Sequence, residues 1–226
     1  MNHAFPYKEK NLQTWPESAR LLPHAKTACT FAEEINIAPE ECSHLLHECG
    51  LFLRNRAEFA ESKDLLKRVL QSSEKSFEPG HPLIATVQSN LALVLKDLGE
   101  LKDARDLLRK VLESAEKSFK PGDPLLATMQ SNLALVLKDL GELAEAKDLL
   151  RKALESDEKT FKPGHPSIAT SQSNLATVLY NLGEIGEARD LARSAYETFL
   201  NKFGPQHPKT IIAKNNWESI IKRSKV

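Results

Sequence analysis

The sequence predicts an all-α solenoid, a stack of helix–turn–helix units sharing one continuous core. Three observations point to it. A phrase recurs with a period of 42 residues, apolar residues within each copy fall at helical spacing, and glycine or proline stands at fixed places between them. The copies at 82–123 and 124–165 match at 33 of 42 positions without a gap, and QSNLALVLKDLGEL at 88–101 returns unchanged at 130–143. Weaker copies begin near Ala38 and at Pro166, and half a copy follows Pro208. A repeat of this length is a supersecondary unit that cannot bury its apolar face alone, so neighbouring copies bury it for one another.

Each element follows in turn. Residues 1–13 have no helical period and are expected to be extended or disordered. Residues 14–37 form a helical cap, reading as helix from Trp15 and interrupted by Pro23. Four repeats follow, at 38–79, 80–121, 122–163 and 164–205, and a capping helix closes the chain at 206–226. In the second repeat, Gly80-His81-Pro82 starts a helix, because proline is tolerated at the first helical position. Ile84, Val87, Leu91, Val94, Leu95 and Leu98 line one face of it, and Ala92 allows another helix to come close. Gly99 ends it through the left-handed conformation that glycine accepts. The second helix carries Leu101, Ala104, Leu107, Leu108, Val111 and Leu112 inward and ends by Phe119. Gly141 and Gly183 repeat the inner turn, where the first copy has Ala57, a turn expected to be looser or continuous with the helix. Phe77, Phe119, Phe161 and Phe203 precede the outer loops and are expected to plug the space between units. The last helix bears Lys222, Arg223 and Lys225, cations suited to a helix C-terminus and to a polar outer cap.

Composition excludes several function classes. Lys plus Arg equals Asp plus Glu at 31 each, so no global field favours nucleic acid or an acidic membrane. No stretch approaches the roughly 18 apolar residues of a membrane span. The first 20 residues lack the apolar core of a secretory signal. Cys29, Cys42 and Cys49 make an odd count with no disulfide framework, which fits a reduced, cytoplasmic setting. At 6% aromatic residues, a stacking platform for bases is disfavoured.

No catalytic, metal or cofactor site is expected. Cys42, His44, His47 and Cys49 have metal-ligand types, but at about 100° per helical residue the cysteines point away from the histidines. One tetrahedral zinc cannot collect all four. In register, Cys42 and Cys49 take the places of core Ile84 and Leu91, so they read as buried apolar fillers. His81, His165 and His207 interchange with Asp123 just before a helix-starting proline, which indicates capping. The charged residues of the second helices, such as Glu113, Glu116 and Lys117, read as a solvated face with pairs three and four apart. Ala146 marks a close helix contact.

The pattern Leu91-Ala92, Leu95, Gly99, Leu101, Ala104, Leu108, Val111 resembles the tetratricopeptide repeat. Here the repeat is 42 residues rather than the usual 34 or so, with an F-x-P-G-H-P loop. That variant is similar to the repeats of kinesin light chains. The resemblance implies a right-handed superhelix whose first helices line a concave groove that binds a protein or peptide segment. By register, the groove positions are Thr86, Ser89, Asn90, Leu93 and Asp97, then Thr128, Ser131, Asn132, Leu135 and Asp139, then Thr170, Ser173, Asn174, Thr177 and Asn181. Leu51 takes the place of Leu93 in the first copy. Asn90, Asn132, Asn174 and Asn216 form a ladder able to pair with the N–H and C=O of an extended peptide, or to tie one repeat to the next. His44, His47 and Glu48 replace Thr, Ser and Asn in the first copy and make that end titratable near neutral pH. The Lys/Arg clamp of chaperone-binding repeats is absent, since its places hold Ser89, Leu93, Thr170 and Asn174. A narrower resemblance, Ala4-Phe5-Pro6, Thr14-Trp15-Pro16 and Leu21-Leu22-Pro23-His24, is to the entry of the repeat region of STAND ATPases, which implies a ligand sensor. The chain has no G-x-x-x-x-G-K-[ST] to hold nucleotide. The expected function is a non-enzymatic scaffold, with a sensor region or a purely structural spacer as alternatives.

Overall fold

A computed structural model describes residues 5–8, 12–35, 37, 39–78, 81–120 and 122–223. Among these residues there are ten α-helices, one 3-10 turn and no strand. Of the expected features, residues 1–4 and 9–11 of the N-terminal segment, Pro79, Gly80, Pro121 and Lys225 lie outside the described residues. The chain divides into two compact units, residues 1–111 and 112–226.

The helix limits follow from local chemistry. Helices α1 (Trp15–Glu34), α2 (Pro39–Asn55), α3 (Phe59–Ser76), α4 (Pro82–Asp97) and α5 (Leu101–Ser118) are followed by α6 (Pro124–Leu140), α7 (Leu143–Thr160), α8 (Pro166–Leu182), α9 (Ile185–Phe203) and α10 (Pro208–Arg223). Proline opens α4, α6 and α8, where its missing N–H costs nothing. The residue before each proline caps the helix. His81 and His165 accept the N–H of Leu83 and Ser167 on Nδ1 at 3.2 Å, and Asp123 accepts that of Leu125 at 2.8 Å. His207 caps α10 in the same way. The interchange of His and Asp is therefore capping. The preceding phenylalanine stabilises the histidine caps: Phe77, Phe161 and Phe203 stack on His81, His165 and His207 with centroids 4.1–4.5 Å apart. At three of the four loops, the expected plug is thus a lid over the cap.

In the first unit, α2 packs on α1 and α3, and α3 packs on α4. Leu46, Cys49, Phe52, Leu53, Leu65 and Val69 form its core with Cys29 of α1. Cys42 and Cys49 are buried, as expected of apolar fillers. Burial, with Glu48 adding to it, pushes the Cys49 thiol up to about 12, which leaves it a neutral, inert group. Phe5, Tyr7, Trp15 and Phe52 form an aromatic cluster with centroids 5.4–6.4 Å apart, and Asn55 donates to the Tyr7 hydroxyl. Residues 5–8 are anchored there through Phe5 and Tyr7.

Two expectations change in this unit. α1 runs unbroken through Pro23, which is exposed on the helix. A twenty-residue helix packed on α2 retains its other backbone bonds and absorbs one missing donor. The turn at Ala57 is neither looser nor helical. Its φ is +61°, and Glu58 N–H bonds Leu53 C=O at 2.9 Å. The glycine turn makes the same bond from Glu100 to Leu95, also at 2.9 Å. The hydrogen bonds and packing of the unit impose the glycine geometry on alanine.

In the second unit, α6 packs on α7, α7 on α8, α8 on α9 and α9 on α10. Small residues mark the close contacts: Ala134, Ala146, Ala176 and Ala188 are fully buried. Gly141 and Gly183 end α6 and α8 at φ +82° and +83°. The final helix packs through Ala213 and Ile220 and stacks Trp217 on Tyr196 at 5.5 Å. Its outer face is less polar than expected, because Ile211 and Ile212 are exposed. Ile211 occupies the register of buried Ala169, which is covered by α9, whereas no helix follows α10 among the described residues.

Candidate functional site

Thr86, Ser89, Asn90, Leu93 and Asp97 belong to α4. Thr128, Ser131, Asn132, Leu135 and Asp139 belong to α6, and Thr170, Ser173, Asn174, Thr177 and Asn181 to α8. His44, His47, Glu48 and Leu51 are on α2, and Asn216 is half-buried on α10. Their environments differ sharply, although their registers match.

In the first unit much of this polar chemistry is already engaged within the protein. His47 is buried, and its Nε2 lies 2.8 Å from Asn90 Nδ2. Burial, reinforced by repulsion from His44, lowers His47 from 6.5 to about 4. The ring is therefore neutral at physiological pH, and its Nε2 accepts from the Asn90 amide. This corrects one expectation and selects between two readings of another. His47 does not titrate near neutrality, because desolvation opposes its charged form. Asn90 is tied to the preceding repeat and does not face a ligand freely. Ser89 is buried too, at 5% exposure. Asp97 pairs with Arg54 at 2.6 Å. Thr86 donates its hydroxyl to Pro82 C=O at 2.8 Å. His44 is exposed and Glu48 half-buried, with burial raising the Glu48 carboxyl.

The second unit is open at the corresponding level. A cavity of about 350 Å³ is lined by side chains of α6, α7 and α8 and by Phe161. Thr128, Ser131, Asn132, Leu135, Thr170 and Asn174 all line it, so six of the expected residues share one site. Thr128 and Thr170 bond their own helices at Pro124 and Pro166 C=O. Among the described residues, no side-chain hydrogen bond reaches Asn132 or Asn174. Ser173 and Thr177 lie outside the lining, joined by a bond from the Thr177 hydroxyl to Ser173 C=O. Asp139 and Asn181 are exposed near the helix ends, with Asp139 3.0 Å from Lys138.

Two residues of this site stand outside the groove register. Asp157, in the last turn of α7, is 6% exposed and accepts a 2.6 Å hydrogen bond from the buried Ser171 hydroxyl. The same places hold Ala115 and Met129 one repeat earlier. Both turned polar together, and that paired change within core registers is the sequence signal that could have found them. Among the described residues, no three His, Cys, Asp or Glu side chains gather as a metal site. No described helix is long and apolar enough to cross a membrane.

Stacked helix pairs with alanine contacts and glycine turns define a repeat protein whose usual work is to hold other proteins. The tetratricopeptide-repeat profile matches residues 41–117 and 125–201, and the chain belongs to that family. No curated protein sequence matches it. Among solved structures, it is similar to a kinesin-light-chain-type protein of nearly identical TPR-like repeats from Podosopora anserina. That pair has 24% identity and a TM-score of 0.69 over 83% of this chain and 89% of that one. It is also similar to BtubC (BKLC) from P. vanneervenii, at 17% identity and TM-score 0.74 over 93% and 83% of the two chains. The apo form of RapI matches at 14% identity and TM-score 0.66, covering 97% of this chain and 63% of that one. At these identities the likeness is one of fold.

Proposed function

We propose that the chain is a non-enzymatic scaffold that binds an extended peptide segment, with the α6–α8 cavity as its principal contact. One observation carries this reading: Asn132 and Asn174 both line an open cavity with their amides unengaged by the protein. An amide offers two donors and an acceptor, which suits the N–H and C=O of a strand-like backbone. Leu135, half-buried beside them, supplies apolar contact. The near-identity of the middle copies also suits a spacer, since identical repeats maintain shape without diversifying a site.

The two readings separate in one experiment. Random dodecapeptides are selected by display on the full chain, and the enriched peptides are measured by fluorescence anisotropy. Asn132→Ala with Asn174→Ala is expected to weaken them about tenfold or more, the scale of one or two lost hydrogen bonds. The melting temperature should stay within a degree or two of wild type. Equal affinity for both proteins would move the site off these residues, and failure to enrich any peptide would favour the spacer.

A further inference from the structure

Among the described residues lining the α6–α8 cavity, Asp157 is the only charged one. It is more than nine-tenths buried, and its partner is a neutral hydroxyl, Ser171. Its location opposes a structural explanation. A carboxylate in the last turn of a helix faces the negative end of the macrodipole, and a buried carboxylate without a cation is costly. The other copies avoid both penalties by placing Ser73, Ala115 and Phe199 in this register. The open wall of the cavity carries the unengaged amides of Asn132 and Asn174, whose oxygens can accept from a further donor.

We infer that this cavity is a specificity pocket for a lysine or arginine side chain of the bound segment. Asp157 supplies the counter-charge, Ser171 holds its carboxylate in place, and Asn132 and Asn174 complete the ring of acceptors. The cation brings the donors and the charge that the cavity lacks, and a carboxylate paired in such a site forms the stronger class of hydrogen bond. An acidic or purely apolar residue would meet a buried like charge or leave it unpaired. The inference rests on the peptide-binding reading of the same cavity and names the side chain that would specify its ligand.

The test uses the ¹⁵N-labelled full chain and two small probes, acetyl-lysine N-methylamide and its neutral isostere acetyl-norleucine N-methylamide. The lysine probe is expected to shift the side-chain amide signals of Asn132 and Asn174 saturably, and the norleucine probe to leave them in place. Asp157→Asn should weaken the lysine response about tenfold or more while keeping the backbone spectrum of α8 and α9. Asp157→Ala, which installs the residue found at Ala115, should do the same if the isosteric variant folds poorly. Equal response to both probes would overturn the charge-based pocket while leaving the cavity able to bind a peptide backbone. No response to either would also overturn it, and the display selection would then judge peptide binding independently. An undiminished lysine response in both Asp157 variants would remove Asp157 from the site.

Discussion

His47 and Asn132 show how one register can hold two kinds of chemistry. The register places His47 with Ser89 and Ser131, and Asn90 with Asn132, but it does not reveal which side chains find partners in the preceding repeat. A histidine reaches from α2 to Asn90, whereas Ser131 is too short to make the equivalent bond to Asn174. The exchange of Ser for His therefore engages Asn90, while Asn174 stays unengaged. It also makes stability depend on pH. The folded value for His47 is about 4 against 6.5 for a free histidine, so between those values the unfolded chain binds a proton that the folded chain does not. Stability is complete above pH 6.5 and falls as pH drops toward 4, by about 3 kcal/mol across the window. His47→Gln should remove this slope, measured as the urea midpoint at a series of pH values. The raised carboxyl of Glu48 favours folding in the opposite direction, toward low pH, and is common to both proteins, so the difference between them isolates His47. Identical midpoint profiles would show that His47 binds its proton equally in the folded and unfolded chain.

Turns and caps were legible because their chemistry is local. Proline at a first helical position, a capping side chain before it and glycine at the turn fixed the helix limits from the sequence. Inter-element contacts were less legible: the stacking of Phe77, Phe161 and Phe203 on their cap histidines depends on loop geometry that spacing alone does not encode. Ion pairs between successive second helices show the same limit. Lys63 reaches Glu100 and Lys147 reaches Glu184, with each glutamate at the turn before the next second helix. Partly exposed as they are, each contributes about 0.2–1 kcal/mol. The Ala57 turn is the element-level test. Its left-handed backbone, φ +61°, imposes about 1–2 kcal/mol on an L-residue, and the packing around it does not relax the turn. Ala57→Gly relieves that strain and loses part of the gain to the greater freedom of glycine in the unfolded chain. A net stabilisation of about 0.5–1 kcal/mol is expected, seen as a higher urea midpoint with helicity unchanged. A lower midpoint would mean that Ala57 sits in the turn without strain.

At the scale of the whole chain, the period determined the fold class while the site depended on departures from the period. The match of 33 in 42 positions identifies the unit, and the few mismatches include the Ala115 to Asp157 change that gives the α6–α8 cavity its charge. A repeat array whose stability is a sum over units and nearest-neighbour interfaces should accept another unit in phase. Inserting a second copy of 82–123 after Asp123 tests this directly. The inserted copy follows the sequence it duplicates and precedes the near-identical 124–165, and the new junction recreates Asp123 before a helix-starting proline. Each apolar face then meets residues almost identical to those beside it in the native order. Mean residue ellipticity at 222 nm is expected to hold and the urea midpoint to rise, because one favourable unit and one favourable interface are added. An insertion four residues shorter, 82–119, gives the out-of-phase control: it deletes the outer loop and cap, joins Phe119 to Pro124 and should lower both quantities. If the in-phase insertion lost ellipticity per residue as the control does, stability would depend on features of particular copies, and the period would describe the ancestry of the sequence rather than its folding.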